Sequence, residues 1–311
     1  MNTTRKTAGK PACNLCGAGD AVEIIPATVP DTAPASPNQT YACTSIGYGQ
    51  HGSIVRCRSC GLVYAVPREQ TQNVLDFYAA VQDPLYVAER AGRILTFDHH
   101  LKPMERFTGP AGGRKLLDVG AYTGVFVEIA AQHGWDAWGI EPSAWAIGEA
   151  QSNGLQMIHG TLESAHLPEA SYSVVTMWDV VEHLSDPLGT LRAGWQALEP
   201  GGYLIVHTMD LDSPFAKVMG RRWPWFMEMH LYYFSRKTLR VMLEKAGFSV
   251  SWMGAQGRYL HAGYLSSRVS ALLPRIGRVL EWTVAKLGLT NRALRVNLGD
   301  LFTVYARKPE T

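Results

Sequence analysis

The feature that most constrains the fold of this chain is the segment KLLDVGAYTGVFVEI, which runs from Lys115 to Ile129. Its apolar beginning predicts a short buried strand, its glycines predict a tight turn, and the apolar residues after the turn predict a helix. A strand that passes through a glycine turn into a helix presents backbone N–H groups at the carboxyl edge of a sheet, where open α/β folds bind ligands. The segment therefore predicts an α/β sheet with a ligand site at this edge.

Two acidic residues indicate which ligand this edge binds. Asp118 lies two positions before Gly120, and a carboxylate there suits an ammonium or sulfonium group better than a phosphate. A dinucleotide site requires G-x-G-x-x-G, and the spacing of Gly120 and Gly124, with Tyr122 between them, lacks it. Glu141 ends the next predicted strand, where a carboxylate can bind both hydroxyls of a ribose. The pair predicts an adenosyl ligand without phosphates.

These residues resemble the motifs of the class I S-adenosylmethionine-dependent methyltransferases, and the resemblance continues in order along the chain. LLDVGAYTG is similar to the family's first motif, GIEPS to its second, HGTLESAHLP to its adenine-contacting loop and SYSVVTMWDVVEHLSDP to its fourth strand. LRAGWQALEPGGYLIVHT and HLYYFSRKTLRVMLEKAGF resemble later segments. The match covers residues 113–250 and departs from the commonest pattern at Tyr122, where a second glycine is usual.

The resemblance implies a Rossmann-like, seven-stranded α/β sheet with helices on both faces and S-adenosylmethionine as cofactor. It implies cofactor contacts at Asp118, Gly120, Tyr122, Gly124, Glu141, Leu162 and Asp179. Leu162 belongs to the adenine loop, although a core position is the alternative. The expected reaction is methyl transfer to a small-molecule, sugar, or lipid- or carrier-linked acceptor, with O-methylation in a bacterial biosynthetic pathway favoured.

Four of the five cysteines form two C-x-x-C pairs, Cys13 with Cys16 and Cys57 with Cys60, and a glycine follows each pair. The first residues lack the apolar core of an export signal, and in such a chain this spacing indicates zinc rather than disulfides. Four sulfurs close a tetrahedron, so the expected zinc is structural. A redox dithiol and free thiols are the alternatives. Cys43, in the proline-containing loop between the pairs, is expected to be an unligated thiol.

The motifs divide the chain into three predicted parts. These are a zinc-ribbon domain over residues 1–66, a helical linker or cap over 67–112, and a methyltransferase domain over 113–311 with a helical insertion at about 258–299. No run approaches the ~18 apolar residues of a membrane span, and a cytoplasmic location is expected. The sequence predicts no oligomeric state.

Charge gives a weaker indication of the partner. The net charge is +2, from 29 basic and 27 acidic residues, which provides no global attraction to nucleic acid or membrane. From Arg268 to Lys308, however, eight basic residues accompany two acidic ones. This excess suits a phosphorylated or carboxylated acceptor, or peripheral contact with an anionic membrane surface. A solvated face over a packed lid is the alternative.

Asp179, Glu182 and His183 follow the predicted fourth strand as D-x-x-E-H, and they share one face if a helical turn begins there. In one hypothesis His183, with an ordinary pKa of about 6.5, is a general base that a carboxylate orients toward an acceptor hydroxyl. In another, the pattern resembles the E-x-x-E-H of ubiquinone-pathway O-methyltransferases, whose residues bind a divalent ion. This resemblance makes Mg²⁺ a further candidate cofactor. In a third, Glu182 and His183 only cap and pack the turn.

The irregular segment from Met209 to Met229 follows the fifth strand, where acceptors dock in the family that this chain resembles. Candidates to line an acceptor pocket there are Trp223, Trp225, Phe226 and His230. His230 is also the second candidate for the base. From the helices before the first strand, candidates to reach the cofactor are Tyr86, Arg93, His99 and His100. Ordinary packing is the alternative for each residue.

Three other functions are compatible with parts of the pattern. Some ribosomal RNA methyltransferases place zinc-binding cysteines before this core, but the ribbon here is not strongly basic and the fourth strand does not end in N-P-P-Y. A non-catalytic adenosyl-binding or scaffold protein would keep the motifs without turnover. A nicotinamide oxidoreductase is the third, and it requires NAD binding.

Overall fold

The computed structural model describes residues 11–29, 40–66 and 76–310. Thirteen strands lie in this part of the chain: β1 Ala21–Ile25, β2 Ile54–Cys57, β3 Val63–Ala65, β4 Lys115–Val119, β5 Asp136–Glu141, β6 Gln156–His159, β7 Tyr172–Trp178, β8 Leu198–Met209, β9 Tyr232–Tyr233, β10 Ser249–Ala255, β11 Arg258–His261, β12 Ala293–Val296 and β13 Leu301–Arg307. Residues 67–75, which belong to the predicted cap, lie outside the described residues.

Nine α-helices lie entirely within the described residues: α1 Pro84–Ala88, α2 Arg90–Thr108, α3 Val125–Gln132, α4 Ala144–Ser152, α5 Pro187–Ala197, α6 Pro214–Met219, α7 Arg236–Lys245, α8 Ala262–Leu272 and α9 Pro274–Lys286. A single 3₁₀ turn, Gly220–Arg222, follows α6. None of these helices is long and apolar enough to cross a membrane.

The central sheet has seven strands in the order β10-β13-β8-β7-β4-β5-β6. Neighbours from β8 to β6 pair in parallel, whereas β13 is antiparallel to both β8 and β10. Strand β4 pairs with β5 on one side and with β7 on the other, so the strand order reverses there. Such a switch point opens a crevice at the carboxyl ends of the strands, and this is where ligands bind in open α/β sheets.

Helices cover both faces of this sheet, which is why its central strands are apolar on both sides. Leu117 and Val175 pack in the layer that contains α5 and α7. Their strand neighbours Leu116 and Val174 pack against α2 and α3 instead. Because side chains alternate between faces along a strand, two apolar layers require nearly continuous apolar strands. The predicted Rossmann-like fold is confirmed.

A second, antiparallel sheet joins the N-terminal cysteine region to the rest of the molecule, in the order β1-β2-β3-β9. Its last strand comes from the segment that follows α6, and the N–H of Ala65 donates to the carbonyl of Leu231 at 2.8 Å. Lys245 on α7 donates its Nζ to the carbonyl of Leu15 at 2.5 Å. The cysteine region is therefore attached directly to the segment that passes the sheet's carboxyl edge.

The segment between β10 and β13 contains a helical hairpin, α8 and α9, and the pair β11 and β12 closes it at its base. Strand β11 also contacts α2, since Thr96 accepts a hydrogen bond from the N–H of Tyr259 at 2.8 Å. The hairpin is thus fixed next to the cap helix. Exposed apolar side chains on and beside α9 are Leu273, Ile276, Val279, Trp282 and Leu287.

Candidate functional site

The glycine turn after β4 requires its glycines for reasons of backbone and space. Gly120 and Gly124 have φ of 68° and 73°, in the left-handed region. A Cβ at Gly120 would lie 2.7 Å from a methyl of Val180, and one at Gly124 would lie 2.6 Å from a methyl of Leu155. Both positions therefore exclude side chains.

The N–H groups of this turn are used within the protein. Those of Gly120 and Ala121 donate to the carbonyl of Ile140 at 2.9 and 3.2 Å, and that of Gly124 donates to the carbonyl of Ala121 at 2.9 Å. A phosphate-binding loop needs such groups free. The expectation of exposed N–H donors was wrong for these three residues, and their pairing agrees with a ligand that has no phosphates.

Tyr122 occupies the position where the related motifs usually have glycine, and its φ of 49° explains that preference. Packing compensates for the strained backbone. The Tyr122 ring lies edge-on against Tyr86, with centroids 4.6 Å apart, and 5.8 Å from the ring of Trp145. Its hydroxyl is buried without a partner in the described part of the chain. Tyr122 therefore connects the glycine turn to the cap helix α1.

Two buried carboxylates stand at the ends of neighbouring strands β4 and β5. Glu141 is fully buried, and its two oxygens accept the N–H groups of Tyr122 and Ser143 at 3.0 and 2.8 Å. Asp118 accepts the hydroxyl of Thr176 at 2.6 Å. Burial raises the pKa of Glu141 to about 7 and that of Asp118 to about 8. Within the described residues neither has an ion-pair partner, which fits a ligand that brings a cation and hydroxyl donors.

A cavity of about 670 Å³ opens at this edge of the sheet. The cofactor candidates that line it are Gly120, Tyr122, Leu162 and Asp179, whereas Asp118, Gly124 and Glu141 do not reach its surface. Leu162 also packs in the core, as the alternative for this residue expects, and its contact with the cofactor stays a prediction. The volume falls within the range of about 300–1,000 Å³ typical of small-molecule sites.

Asp179 is held by the helical hairpin rather than by its neighbours in sequence. Its carboxylate accepts two hydrogen bonds from Nη2 of Arg258, at 3.1 and 3.2 Å, and lies 3.8 Å from Nε2 of His207. Although burial opposes the charge, Arg258 and His207 lower the pKa of Asp179. Its φ of 55° is unusual for a non-glycine residue. This ion pair joins the end of β7 to β11.

Glu182, His183 and His230 come together on the other side of Asp179. Residues 181–183 form a turn and not a helix, so the conditional expectation of one helical face is not met. Glu182 accepts the hydroxyl of Thr208 at 2.9 Å. Nδ1 of His183 lies 2.9 Å from the carbonyl of Met229. Among the described residues, no carboxylate accepts a hydrogen bond from the imidazole of His183 or of His230. Neither Asp179 nor Glu182 therefore orients His183.

The ionisation of this group follows from its burial. Burial and the nearby Asp179 raise the pKa of Glu182 to about 8. Burial lowers the pKa of His183, and burial together with His183 lowers the pKa of His230 to about 3. Both imidazoles are therefore neutral at pH 7 and can accept a proton or bind a metal.

The structure separates the aromatic and basic candidates into two groups. Those that line the cavity are Tyr86, Arg93, His100, Trp225 and His230. Those that do not are His99, Trp223 and Phe226, the last two of which pack in the core around Ile54 and Tyr233. Cys43, expected to be an unligated thiol in an exposed loop, is exposed and lines the cavity.

Sequence reasoning missed two individual arginines of the cavity wall, Arg258 and Arg268. Arg268 is 8% exposed and donates from Nη1 to the carbonyl of Thr44 at 2.7 Å. The guanidinium of Arg93 stacks 3.4 Å from the centre of the Tyr86 ring. The Nε atoms of Arg93 and Arg268 are buried without a partner in the described part of the chain. The basic excess of residues 268–308 was the available signal for Arg268 and did not single it out, and Arg258 lies outside that segment.

The four cysteines of the two C-x-x-C pairs meet, with their sulfurs all within 4.8 Å of one another. The Sγ of Cys13 lies 3.5 Å from that of Cys60, and the Sγ of Cys16 lies 3.5 Å from that of Cys57. Zinc–sulfur bonds of about 2.3 Å in a tetrahedron place sulfurs about 3.8 Å apart. The donor set and its spacing therefore fit one zinc ion.

Comparison with known proteins gives relatives in sequence. The ubiquinone biosynthesis O-methyltransferase of Leptothrix cholodnii is 31% identical over 126 residues, which cover 36% of this chain and 53% of the relative. That of Cronobacter sakazakii is 30% identical over 135 residues, which cover 41% and 49%. The chain thus spans about half the length of the curated relatives it matches.

Among solved structures, a SAM-dependent methyltransferase of Thermotoga maritima aligns with a TM-score of 0.47 and 19% identity, over 71% of this chain and 91% of the other. A family model described as a methyltransferase domain matches residues 91–251, just over half of the 311 residues. That span contains the glycine turn, both buried carboxylates and the Glu182–His183 turn. The chain belongs to the methyltransferase-domain family.

Proposed function

We propose that the protein is an S-adenosylmethionine-dependent methyltransferase that methylates an oxygen atom of its acceptor. The observation that carries the proposal is the pair of buried carboxylates, Asp118 and Glu141, beside a glycine turn whose N–H groups are already paired. Neither carboxylate lines the cavity of the free protein, so in this proposal cofactor binding brings both to its surface, where Asp118 suits the ammonium of the methionyl part and Glu141 suits the ribose hydroxyls. The similar O-methyltransferases support oxygen as the methylated atom.

The reaction needs little chemistry from the protein beyond positioning and removal of a proton. A lone pair of the acceptor oxygen attacks the methyl carbon, and the carbon–sulfur bond breaks with its electron pair remaining on sulfur, which gives S-adenosylhomocysteine. The hydroxyl proton passes to a base. His183 is the first candidate, because its Nδ1–H donates to Met229 and leaves Nε2 with a free lone pair. His230 is the second.

The acceptor class follows from two arginines of the cavity wall. Arg93 and Arg268 line the cavity with buried, unpartnered Nε atoms among the described residues, which favours an acceptor with a phosphate or carboxylate. Outside, α9 carries the exposed apolar residues named above together with Arg275 and Arg278. A helix with this composition suits an anionic membrane surface. We infer an anionic, lipid- or carrier-linked acceptor.

The four-cysteine site has a structural role in this proposal. Four sulfurs leave a zinc ion without an open position, so it takes no part in methyl transfer. Its place is beside the β1-β2-β3-β9 sheet, whose last strand leads from His230. Zinc binding would therefore hold the segment that carries one wall of the cavity.

The test of the cofactor is calorimetric titration of the protein with S-adenosylmethionine and, separately, with NAD, on wild type and Glu141→Ala. We expect binding of S-adenosylmethionine on the order of micromolar affinity, at least about 100-fold weakening in the variant because two ribose hydrogen bonds to a charged group are lost, and no NAD binding. NAD binding, or equal affinity in the two proteins, would contradict the proposal.

The test of the acceptor uses vesicles and labelled methyl groups. Wild type should sediment with vesicles that contain anionic lipid, and Trp282→Ser should reduce this several-fold without changing cofactor affinity. Labelled methyl should then pass to lipid-linked anionic acceptors in an extract and not to RNA. Transfer confined to water-soluble acceptors would exclude the lipid-linked class.

A further inference from the structure

Glu182, His183 and His230 present one ligand atom each within 4.8 Å of the others. Glu182 and His230 are 2% and 4% exposed, and the two imidazole rings meet edge to face with centroids 4.8 Å apart. All three residues line the cavity. Two imidazoles and a carboxylate therefore converge at one point of the wall where the acceptor would lie.

The hydrogen bonds of the two rings fix which nitrogen is free. Nδ1 of His183 lies 2.9 Å from the carbonyl of Met229, and Nδ1 of His230 lies 2.7 Å from the carbonyl of Trp225. A carbonyl oxygen only accepts, so each Nδ1 carries the proton and each Nε2 carries a lone pair. Metal-binding histidines usually have this arrangement, in which the second nitrogen donates to a carbonyl or carboxylate.

The backbone holds the two halves of this group together. The carbonyl of Glu182 accepts the N–H groups of Leu231 and Tyr232 at 2.8 and 3.1 Å, so the chain after His230 is clamped to the turn before His183. The carbonyl of Leu231 in turn accepts the N–H of Ala65, on β3. A preorganised, supported ligand set is what a specific metal site requires.

We propose that Glu182, His183 and His230 form a binding site for a divalent transition-metal ion, with an open position toward the cavity. Two imidazoles and one carboxylate suit zinc, manganese, iron(II) or cobalt(II). Bonds of about 2.1 Å place ligand atoms about 3 to 4 Å apart, which is close to the spacing of at most 4.8 Å that the three side chains already have.

Magnesium at Asp179, Glu182 and His183, which the sequence resemblance implied, does not fit this arrangement. The Asp179 carboxylate is taken by Arg258, through hydrogen bonds of 3.1 and 3.2 Å. Magnesium also prefers oxygen ligands and keeps several waters, whereas the group here offers two imidazole nitrogens. The site therefore differs from the expected one in both a ligand and the class of ion.

The role of the ion rests on the proposed methyl transfer and deepens it. An acceptor hydroxyl that occupies the open position would lose its proton to solvent more readily, because coordination lowers the pKa of a bound hydroxyl. The same position would hold the oxygen still for attack on the methyl carbon. With the ion bound, both imidazoles serve as ligands, and neither acts as a free base.

Cobalt(II) is the probe that separates this site from the four-cysteine site. Metal-free protein, prepared by dialysis against a chelator under reducing conditions, is titrated with Co²⁺ and followed by absorption. Thiolate ligands give intense sulfur-to-cobalt charge-transfer bands, which nitrogen and oxygen ligands do not give. Wild type should take up two ions with distinct spectra. His230→Gln and His183→Gln should each weaken the second ion at least about 100-fold, since even outer-shell partners contribute 10–100-fold.

His99→Gln is the matched control, because His99 lies on α2 outside the cluster; it should bind both ions as wild type does. Far-ultraviolet circular dichroism checks the fold of every variant. Uptake of a single, thiolate-bound ion by wild type would overturn the proposal. It would also be overturned if the affinity for the second ion were the same in wild type, His183→Gln and His230→Gln. Cofactor titration is run on the same samples: binding of S-adenosylmethionine without the second ion defeats only the metal site, whereas absence of cofactor binding defeats the proposed function.

Discussion

The two sides of the cavity are built from the chain in different ways. The cofactor edge, where Gly120 and Tyr122 line the cavity and Asp118 and Glu141 lie buried behind them, comes from two adjacent strands and the turn after the first of them. The acceptor wall, formed by Glu182, His183, His230, Arg258 and Arg268, comes from three segments spread over 87 positions. Local sequence determines the first, and tertiary packing assembles the second. Substitutions far from the cavity should therefore disrupt the acceptor wall more than the cofactor edge.

Removal of the proposed zinc should have the largest effect, and only on the acceptor wall. Cys57→Ser should abolish methyl transfer while cofactor affinity stays within about threefold, because the free energy of structural zinc binding, about 10–16 kcal/mol, is folding free energy for the small sheet. That sheet includes β9, next to His230. Turnover and calorimetry on the same preparation give the measurement, with Ser59→Ala, at an exposed position between Cys57 and Cys60, as the control. Loss of cofactor binding in Cys57→Ser would show that the two sides are not independent.

A second prediction concerns the acceptor wall alone. His183→Ala should lower kcat by about 10²–10⁴-fold, the usual contribution of proton removal, because the variant loses either the free base or, with the proposed ion bound, one of the ligands of that ion. The Kd for S-adenosylmethionine should stay unchanged. The reason is that His183 contacts the Met229 carbonyl and not the glycine turn. Single-turnover kinetics and calorimetry separate the two quantities. His133→Ala, at an exposed histidine that does not line the cavity, should match wild type in both, and a weaker Kd in His183→Ala would mean that the cofactor extends into the acceptor wall.

These residues also show how far sequence alone could go. Asp118 and Glu141 were identifiable because a carboxylate at the end of a strand has a defined place in this fold, whatever the rest of the chain does. The partner of Asp179 was not, since Arg258 approaches from 79 positions away through the hairpin. His183 and His230 were named as separate candidates, but their meeting depends on β9 joining the cysteine region. Long-range pairing of this kind leaves no periodic pattern in the sequence.

A third prediction sharpens the description of the cofactor edge through pH. Burial raises the pKa of Glu141 to about 7 and of Asp118 to about 8, and both must be ionised to bind hydroxyls and an ammonium. Affinity for S-adenosylmethionine should therefore rise with pH, by up to about tenfold per unit for each group that must ionise, and level off above pH 8. The free energy of unfolding of the cofactor-free protein should change in the opposite direction. Both carboxyls have a higher pKa in the folded chain than in the unfolded chain, so their protonated forms stabilise the fold at low pH, and this stabilisation is lost as the pH rises through 7 and 8.

Calorimetry from pH 6 to 9 measures this dependence, and proton release appears as a binding enthalpy that varies with the buffer. Asp118→Asn should remove the part of the profile near pH 8, and His183→Ala should leave the profile unchanged because it belongs to the other side of the cavity. An affinity independent of pH would mean that the cofactor does not reach these carboxylates.

The smallest effect is expected where the helical hairpin joins the acceptor wall. Arg258→Gln removes the ion pair with Asp179, whose side chain is 39% exposed toward the cavity, so solvent screens the loss. We expect about 1 kcal/mol of destabilisation, or about 2 °C in Tm for a chain of this size, measured by thermal unfolding. Arg295→Gln, at an exposed arginine on the neighbouring strand β12, is the matched control and should change stability by less than about 0.5 kcal/mol. If Arg258→Gln costs no more than its control, the hairpin is held by the contacts of β11 with α2 rather than by Asp179, and the acceptor wall is less dependent on distant residues than its assembly suggests.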